Sequence, residues 1–122
     1  MTVQEWLGTE NQLGQDIWER KYRYENETFD EWINRVSGGN SEIANLIKEK
    51  KFLFGGRILA NRGLENKGRK ISLSNCYVIE PPEDNIESIF DCAKKLARTY
   101  SRGGGCGVDI SKLSPRGAKV NN

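Results

Sequence analysis

Cys76, Cys92 and Cys106 are the three thiols of a 122-residue chain that contains no histidine. Without imidazole, zinc hydrolases, Ser-His-Asp triads and histidine acid–base catalysis are excluded within these residues. No pair of the cysteines has metal-ligand spacing, so no metal site is expected. Cys76 lies in Ser72-Leu-Ser-Asn-Cys-Tyr-Val-Ile79, a stretch with strand-forming side chains interrupted by Ser72, Ser74 and Asn75. Two readings stand for it. A free cysteine commonly fills space in a core; alternatively, strand alternation puts Ser74 and Cys76 on one face, where a hydroxyl and a thiol address one ligand. Cys92 falls in an apolar helix and reads as inert core. Cys106 ends Arg102-Gly-Gly-Gly-Cys106 and is followed by Gly107. That glycine run lets backbone N–H groups approach a ligand closely, but it has neither the Lys-Ser/Thr of a P-loop nor the spacing of a dinucleotide fingerprint.

The elements that must position these residues follow from local patterns. Thr28 and Glu31 form a capping box, and Phe29, Trp32, Ile33 and Val36 then make one apolar stripe that ends at Gly38-Gly39. A second helix is expected from Asn40 or Ser41 to about Lys51, burying Ile43, Leu46 and Ile47. Leu13, Ile17 and Trp18 suggest a weaker helix upstream, and Gly63 and Gly68 read as exposed turns. Ile71–Ile79 reads as a buried strand stopped by Pro81-Pro82. Asp84 or Asn85 caps a helix with Ile86, Ile89, Phe90, Ala93, Leu96, Ala97 and Tyr100 on one side. Cys106–Ile110 is a short second strand. Strand, helix, glycine turn, strand is a βαβ unit, so the class is α/β, and such a unit needs further strands beside it.

Composition sets the outer bounds. One domain's worth of chain carries 36% hydrophobic and 30% charged residues with 13 glycines, too apolar for a disordered tail and light for a self-sufficient globule. The net charge of +2 hides an acidic first half and a basic second half. An excess of basic residues on the glycine-rich half suits a phosphate-bearing ligand, and equally an ordinary solvated surface. An odd cysteine count without framework spacing points to a reducing cytoplasm. No apolar run reaches the length of a membrane span.

Three ordered motifs together are more specific than any alone. Asn75-Cys-Tyr-Val-Ile79, Glu83-Asp-Asn-Ile-Glu-Ser-Ile-Phe90 and the run Ser101–Ala118, with Gly103-Gly-Gly-Cys-Gly107 and Ser114-Pro-Arg-Gly117, resemble the large catalytic subunit of ribonucleotide reductases. The resemblance extends back through Phe54-Gly-Gly-Arg-Ile-Leu-Ala-Asn-Arg-Gly63, and Leu13-Gly-Gln-Asp-Ile-Trp-Glu-Arg-Lys-Tyr22 looks most like the adenosylcobalamin-dependent branch. No ATP-cone is seen.

The resemblance implies a helical region over residues 1–53, followed over 54–122 by the first βαβ portion of a ten-stranded α/β barrel. It implies that Cys76 is one of the redox pair that reduces the ribose, with Ser74, Asn75, Gly104 and Gly105 at the substrate. Asp84, Asn85 and Ile86 match the start of a site for an ATP or deoxynucleotide effector, and Asp109–Arg116 match the first specificity loop. The implied activity is reduction of ribonucleotides to 2′-deoxyribonucleotides by thiyl-radical chemistry. Implied companions are adenosylcobalamin, a thioredoxin-like dithiol reductant, a dimeric assembly, and the remainder of the subunit or a complementing fragment. The other redox cysteine and the radical cysteine are expected outside these residues, so the chain alone is expected to be inactive. A nucleotide-binding or partner-docking module without chemistry is the alternative.

Overall fold

Thr2, Asn11, Thr28, Asn40 and Asn85 each accept a backbone N–H bond at the start of a helix, so most of the helical boundaries are written locally. A computed structural model describes residues 1–68 and 70–119, and the chain divides into two compact units, Met1–Leu73 and Ser74–Asn122. The division falls later than the 53/54 boundary read from the sequence. Leu59 belongs to the core of the first unit, and Arg35 bonds to the carbonyls of Ala60 and Arg62, which ties residues 54–62 to the helices before them.

The first unit is helical: α1 (Val3–Leu7), α2 (Gln12–Ile17) running into a π-helical turn (Trp18–Tyr22), α3 (Phe29–Ser37), α4 (Ser41–Lys48) and α5 (Gly56–Asn61). The Thr28–Glu31 capping box forms with both bonds present, and Gly38 ends α3 in the left-handed conformation. Trp6, Trp18, Phe29 and Trp32 stack into one aromatic cluster with ring centroids 5.2–6.1 Å apart. Two of the indoles are also anchored, Trp6 Nε1 donating to Ile47 O and Trp32 Nε1 to Leu59 O, each at 3.0 Å. Val36 and Ile47 are fully buried beside them.

Several expectations for this unit change. Helix α4 stops at Lys48, short of Lys51, and Lys50 turns to positive φ. Ile47 carries its burial, packed into the cluster that holds Trp6 and Trp32, while Leu46 is 40% exposed. Leu13 and Ile17 are exposed, and Trp18 and Gln15 are the buried residues of the α2 segment. Helices α1 and α5 were not read from the sequence; α5 begins at Gly55-Gly56, which resembles a turn locally. Leu64, between the expected exposed glycines, is buried.

The second unit contains β1 (Cys76–Val78), α6 (Ile86–Ser101) and β2 (Gly105–Gly107). The strands pair in parallel, with Cys76 opposite Gly105, Tyr77 opposite Cys106 and Val78 opposite Gly107. The βαβ order is therefore as expected, but both strands are shorter than the Ile71–Ile79 and Cys106–Ile110 runs. A ladder extends only as far as its partner, and here each three-residue strand is the other's sole partner among the described residues. Asn85, not Asp84, caps α6. The buried residue of α6 is Cys92, as expected for inert core. The anticipated apolar side is uncovered: Ile86 is 66% and Phe90 69% exposed, because two short strands shield only a narrow face of a 16-residue helix. Among the described residues, no helix is long and apolar enough to cross a membrane.

Candidate functional site

The head of β1 and the glycine turn before β2 meet through the backbone. Gly105 N–H donates to Asn75 O at 2.7 Å, and at the other end Ile79 N–H donates to Gly107 O at 3.3 Å. Ser74, Asn75 and Cys76 are consecutive at one side of this junction, and Gly104 and Gly105 form the other. These five candidates are thus brought together.

Which face each side chain takes is decided at Gly104. A Cβ built there would lie 2.7 Å from Tyr77 Cε2 and 3.0 Å from Thr99 Cγ2, so the Tyr77 ring is turned toward the C-terminal end of α6. Strand alternation then sends Cys76 and Val78 to the opposite face, away from α6. Both are exposed there, Val78 at 89%. Cys106 is in register with Tyr77 and shares its face, not that of Cys76. All three cysteines are free, with Cys92 buried and Cys106 half-buried. A thiol on the uncovered face of a strand is accessible to a reactant, and its Cα is fixed by the ladder.

The glycine turn is tighter than the sequence reading assumed. Gly104 is buried, its N–H donating to Thr99 O at 3.1 Å, and the Gly105 N–H is taken by Asn75. Neither N–H is left to cradle a phosphate. Ligand contact through this turn would use carbonyls and the surface left by the missing side chains.

At the start of α6, Asn85 Oδ1 accepts the Ser88 N–H at 2.7 Å, and Ser88 Oγ in return accepts the Glu83 N–H at 2.8 Å. Asn85 is therefore occupied as a cap. Ile86 is exposed, and the Asp84 carboxylate accepts the Ser114 hydroxyl. Beside that bond, Lys112 Nζ lies 2.8 Å from Glu83 Oε1. This Glu83 contact raises the Lys112 pKa, through hydrogen bonding first and charge attraction second. Asp109 is held below the usual carboxylate range chiefly by the Ser111 backbone N–H it accepts at 2.9 Å. Tyr77, Thr99 and Glu83 were not singled out individually from the sequence, and Lys112 and Ser114 were marked only as members of the 109–116 segment matched to a specificity loop. The ties of Lys112 and Ser114 span 29 and 30 residues, beyond any local pattern.

The described residues hold no group of three or more His, Cys, Asp and Glu side chains suited to a metal. A cleft of about 370 Å³ lies in the first unit, lined in part by Gln12, Asp16, Glu19 and Arg23. Those polar side chains pair with one another, and none of the candidate residues belongs to that unit.

Residues 74–122 match the family model of the ribonucleotide reductase barrel domain. Ribonucleoside-diphosphate reductase large subunits are similar over a longer stretch. The Variola virus protein is 30% identical over 80 residues, 66% of this chain and 10% of its own length. The Danio rerio protein is 33% identical over 79 residues, 65% of this chain and 9% of its own. The large chain of Neurospora crassa is 30% identical over 79 residues, 65% and 8% of the two chains. The chain spans about a tenth of the length of the curated relatives it matches. The matched segment begins at Ser74, where the second compact unit begins. These viral, fungal and fish relatives do not single out the adenosylcobalamin branch.

Proposed function

We propose that this chain is a portion of the large, catalytic subunit of a ribonucleotide reductase, acting in a reducing cytoplasm. It contributes one redox thiol, part of the substrate surface and part of an effector site. The observation that carries this reading is Cys76 at the head of a parallel βαβ unit, on the strand face turned away from the helix, within a segment matching the reductase barrel domain.

The chemistry asked of Cys76 is reductive. The ribose C2′–O bond breaks, the oxygen leaves as water, and two thiols are oxidised to a disulfide while the carbon takes up hydrogen. Cys76 is one of those thiols; its partner and the radical-bearing cysteine are supplied by residues other than these 122. A rigid strand suits such a donor because it fixes sulfur relative to the sugar, and a dithiol protein of thioredoxin type returns the disulfide to thiols. The names of the relatives favour a ribonucleoside diphosphate as substrate. Ser74 and Asn75 border the thiol, and Gly104 and Gly105 floor the site without side chains.

Asp84, Asn85 and Ile86 receive the ATP or deoxynucleotide effector in this reading, with Asp84 at a ribose hydroxyl rather than at a phosphate, which it would repel. Adenosylcobalamin, the radical source implied by the resemblance, would be held mainly by residues other than these 122. The uncovered face of α6 supports assembly with the remaining barrel and with a second subunit.

The deciding experiment mixes this chain with a candidate larger fragment and ribonucleoside diphosphate. Restored turnover, with single-turnover trapping of Cys76 in a disulfide to the larger fragment, supports the reading. Tight association without turnover refutes it in favour of a docking module.

A further inference from the structure

Helix α6 ends in a left-handed turn closed by two backbone bonds. Gly103, at φ +84°, donates its N–H to Tyr100 O at 2.9 Å, and Gly104 N–H reaches back to Thr99 O at 3.1 Å. In such an ending, the residue after the left-handed glycine frequently carries an apolar side chain that packs on the last helical turn. Here that residue is Gly104, which has no side chain to offer. The space is filled from β1 instead. A Cβ at Gly104 would lie 2.7 and 3.1 Å from Tyr77 Cε2 and Cδ2, and 3.0 Å from the Thr99 methyl. The Thr99 hydroxyl is turned back along the helix, donating to Lys95 O at 3.0 Å. Its methyl is thus left for the turn.

We infer that Tyr77 is a positioning residue: its ring supplies, from the neighbouring strand, the apolar contact that closes the α6 ending, and so seats Gly104 and Gly105 opposite Cys76. This rests on the reading of those glycines as the substrate floor, and adds to it what holds the floor in place. A side chain on the turn itself would close the helix ending but would not tie it to β1. The Tyr77 ring does both. In the plane of the ladder, the Gly105 N–H bond to Asn75 O at 2.7 Å sets the spacing of turn and strand. The ring props the turn from the face opposite the Cys76 thiol, because adjacent strand residues alternate.

The test compares wild type, Tyr77→Phe, Tyr77→Leu and Tyr77→Ala. Amide exchange is followed in the full 122-residue chain, and kinetics in its complex with the larger reductase fragment. In Tyr77→Ala, exchange at Gly104 and Gly105 is expected to quicken about tenfold relative to Ile79, whose bond to Gly107 closes the far end of the ladder. The KM for a ribonucleoside diphosphate is expected to rise about tenfold with kcat within about threefold, since the floor shifts and the strand carrying Cys76 does not. Tyr77→Phe keeps the ring edge and matches wild type in both readouts. Tyr77→Leu keeps apolar bulk, falls between the two, and carries the test should the alanine chain not fold. Equal quickening at Gly104, Gly105 and Ile79, or none, overturns the positioning role, as does an unchanged KM. Absence of turnover by the wild-type pair overturns the reductase reading instead, and the exchange result then decides by itself whether Tyr77 seats the turn.

Discussion

Cys76 and Cys106 are one register step apart on paired strands, yet they face opposite sides of the ladder. This makes the redox assignment sharp. In the complemented enzyme, Cys76→Ser is expected to abolish multiple turnover, because a hydroxyl cannot enter the disulfide that ends each cycle. Cys106→Ala and Cys92→Ala are expected to retain most turnover, with some loss of stability at the buried Cys92. Steady-state product formation with a dithiol reductant distinguishes them. At Gly104 the expectation is steric. Alanine would place its Cβ 2.7 Å from the Tyr77 ring, and relieving that overlap costs about 1–3 kcal/mol. Adding Tyr77→Ala to Gly104→Ala should recover part of the loss in chemical denaturation. For Asp109, the lowered pKa means the Ser111 turn contributes fully above the ordinary carboxylate range and is lost as pH falls through the native value. Amide exchange at Ser111 should therefore accelerate in acid beyond its intrinsic pH trend.

At the scale of elements, what the sequence disclosed was whatever is local. Thr28 and Glu31 lie three residues apart, and their capping box is readable without any tertiary knowledge. The partners of Arg35 are not. Its guanidinium pairs with Glu27 at 2.8 Å and donates to the carbonyls of Tyr22, Ala60 and Arg62, fastening the π-helical turn, α3 and α5 together. Nothing in the spacing of a single arginine reveals four partners on three segments. Helix α5 escaped for a related reason, since Gly55-Gly56 signals a turn and the helix is held by tertiary bonds to Trp32 and Arg35. The strand lengths were overestimated because β-forming side chains set only an upper limit. The Arg35–Glu27 pair is nearly buried, with side chains 12% and 10% exposed. Arg35→Ala strands the Glu27 charge and is expected to destabilise the first unit by about 3–5 kcal/mol, read from its unfolding midpoint.

The candidate site was legible as a set of residues but not as an arrangement. Cys76, Asn75 and the glycine run could be marked from their types and from the family resemblance. The engagement of the Gly104 and Gly105 N–H groups, and the occupancy of Asp84 by Ser114, depend on contacts across the βαβ unit. For the whole molecule, the contrast between units carries the expectation. The first has an aromatic core of its own, whereas the second leaves Val78 of its two-stranded ladder and Ile86 and Phe90 of α6 exposed. The isolated chain is expected to reduce no ribonucleotide and to self-associate with rising concentration, as sedimentation velocity would reveal. A concentration-independent monomer would contradict the uncovered faces of the second unit.

All three tryptophans, Trp6, Trp18 and Trp32, sit within the aromatic cluster of the first unit, while the second unit holds Tyr77 and Tyr100 and no tryptophan. The molecule thus carries a built-in pair of optical labels. Indole emission reports the packing of the helical unit alone, whereas near-ultraviolet dichroism also carries Tyr77 and Tyr100, and backbone dichroism averages over both units. Heating or denaturant that melts the βαβ unit first would lower the helical signal of α6 while leaving the indole spectrum untouched. The order in which the two units lose structure can be followed in one cuvette, without a probe being attached.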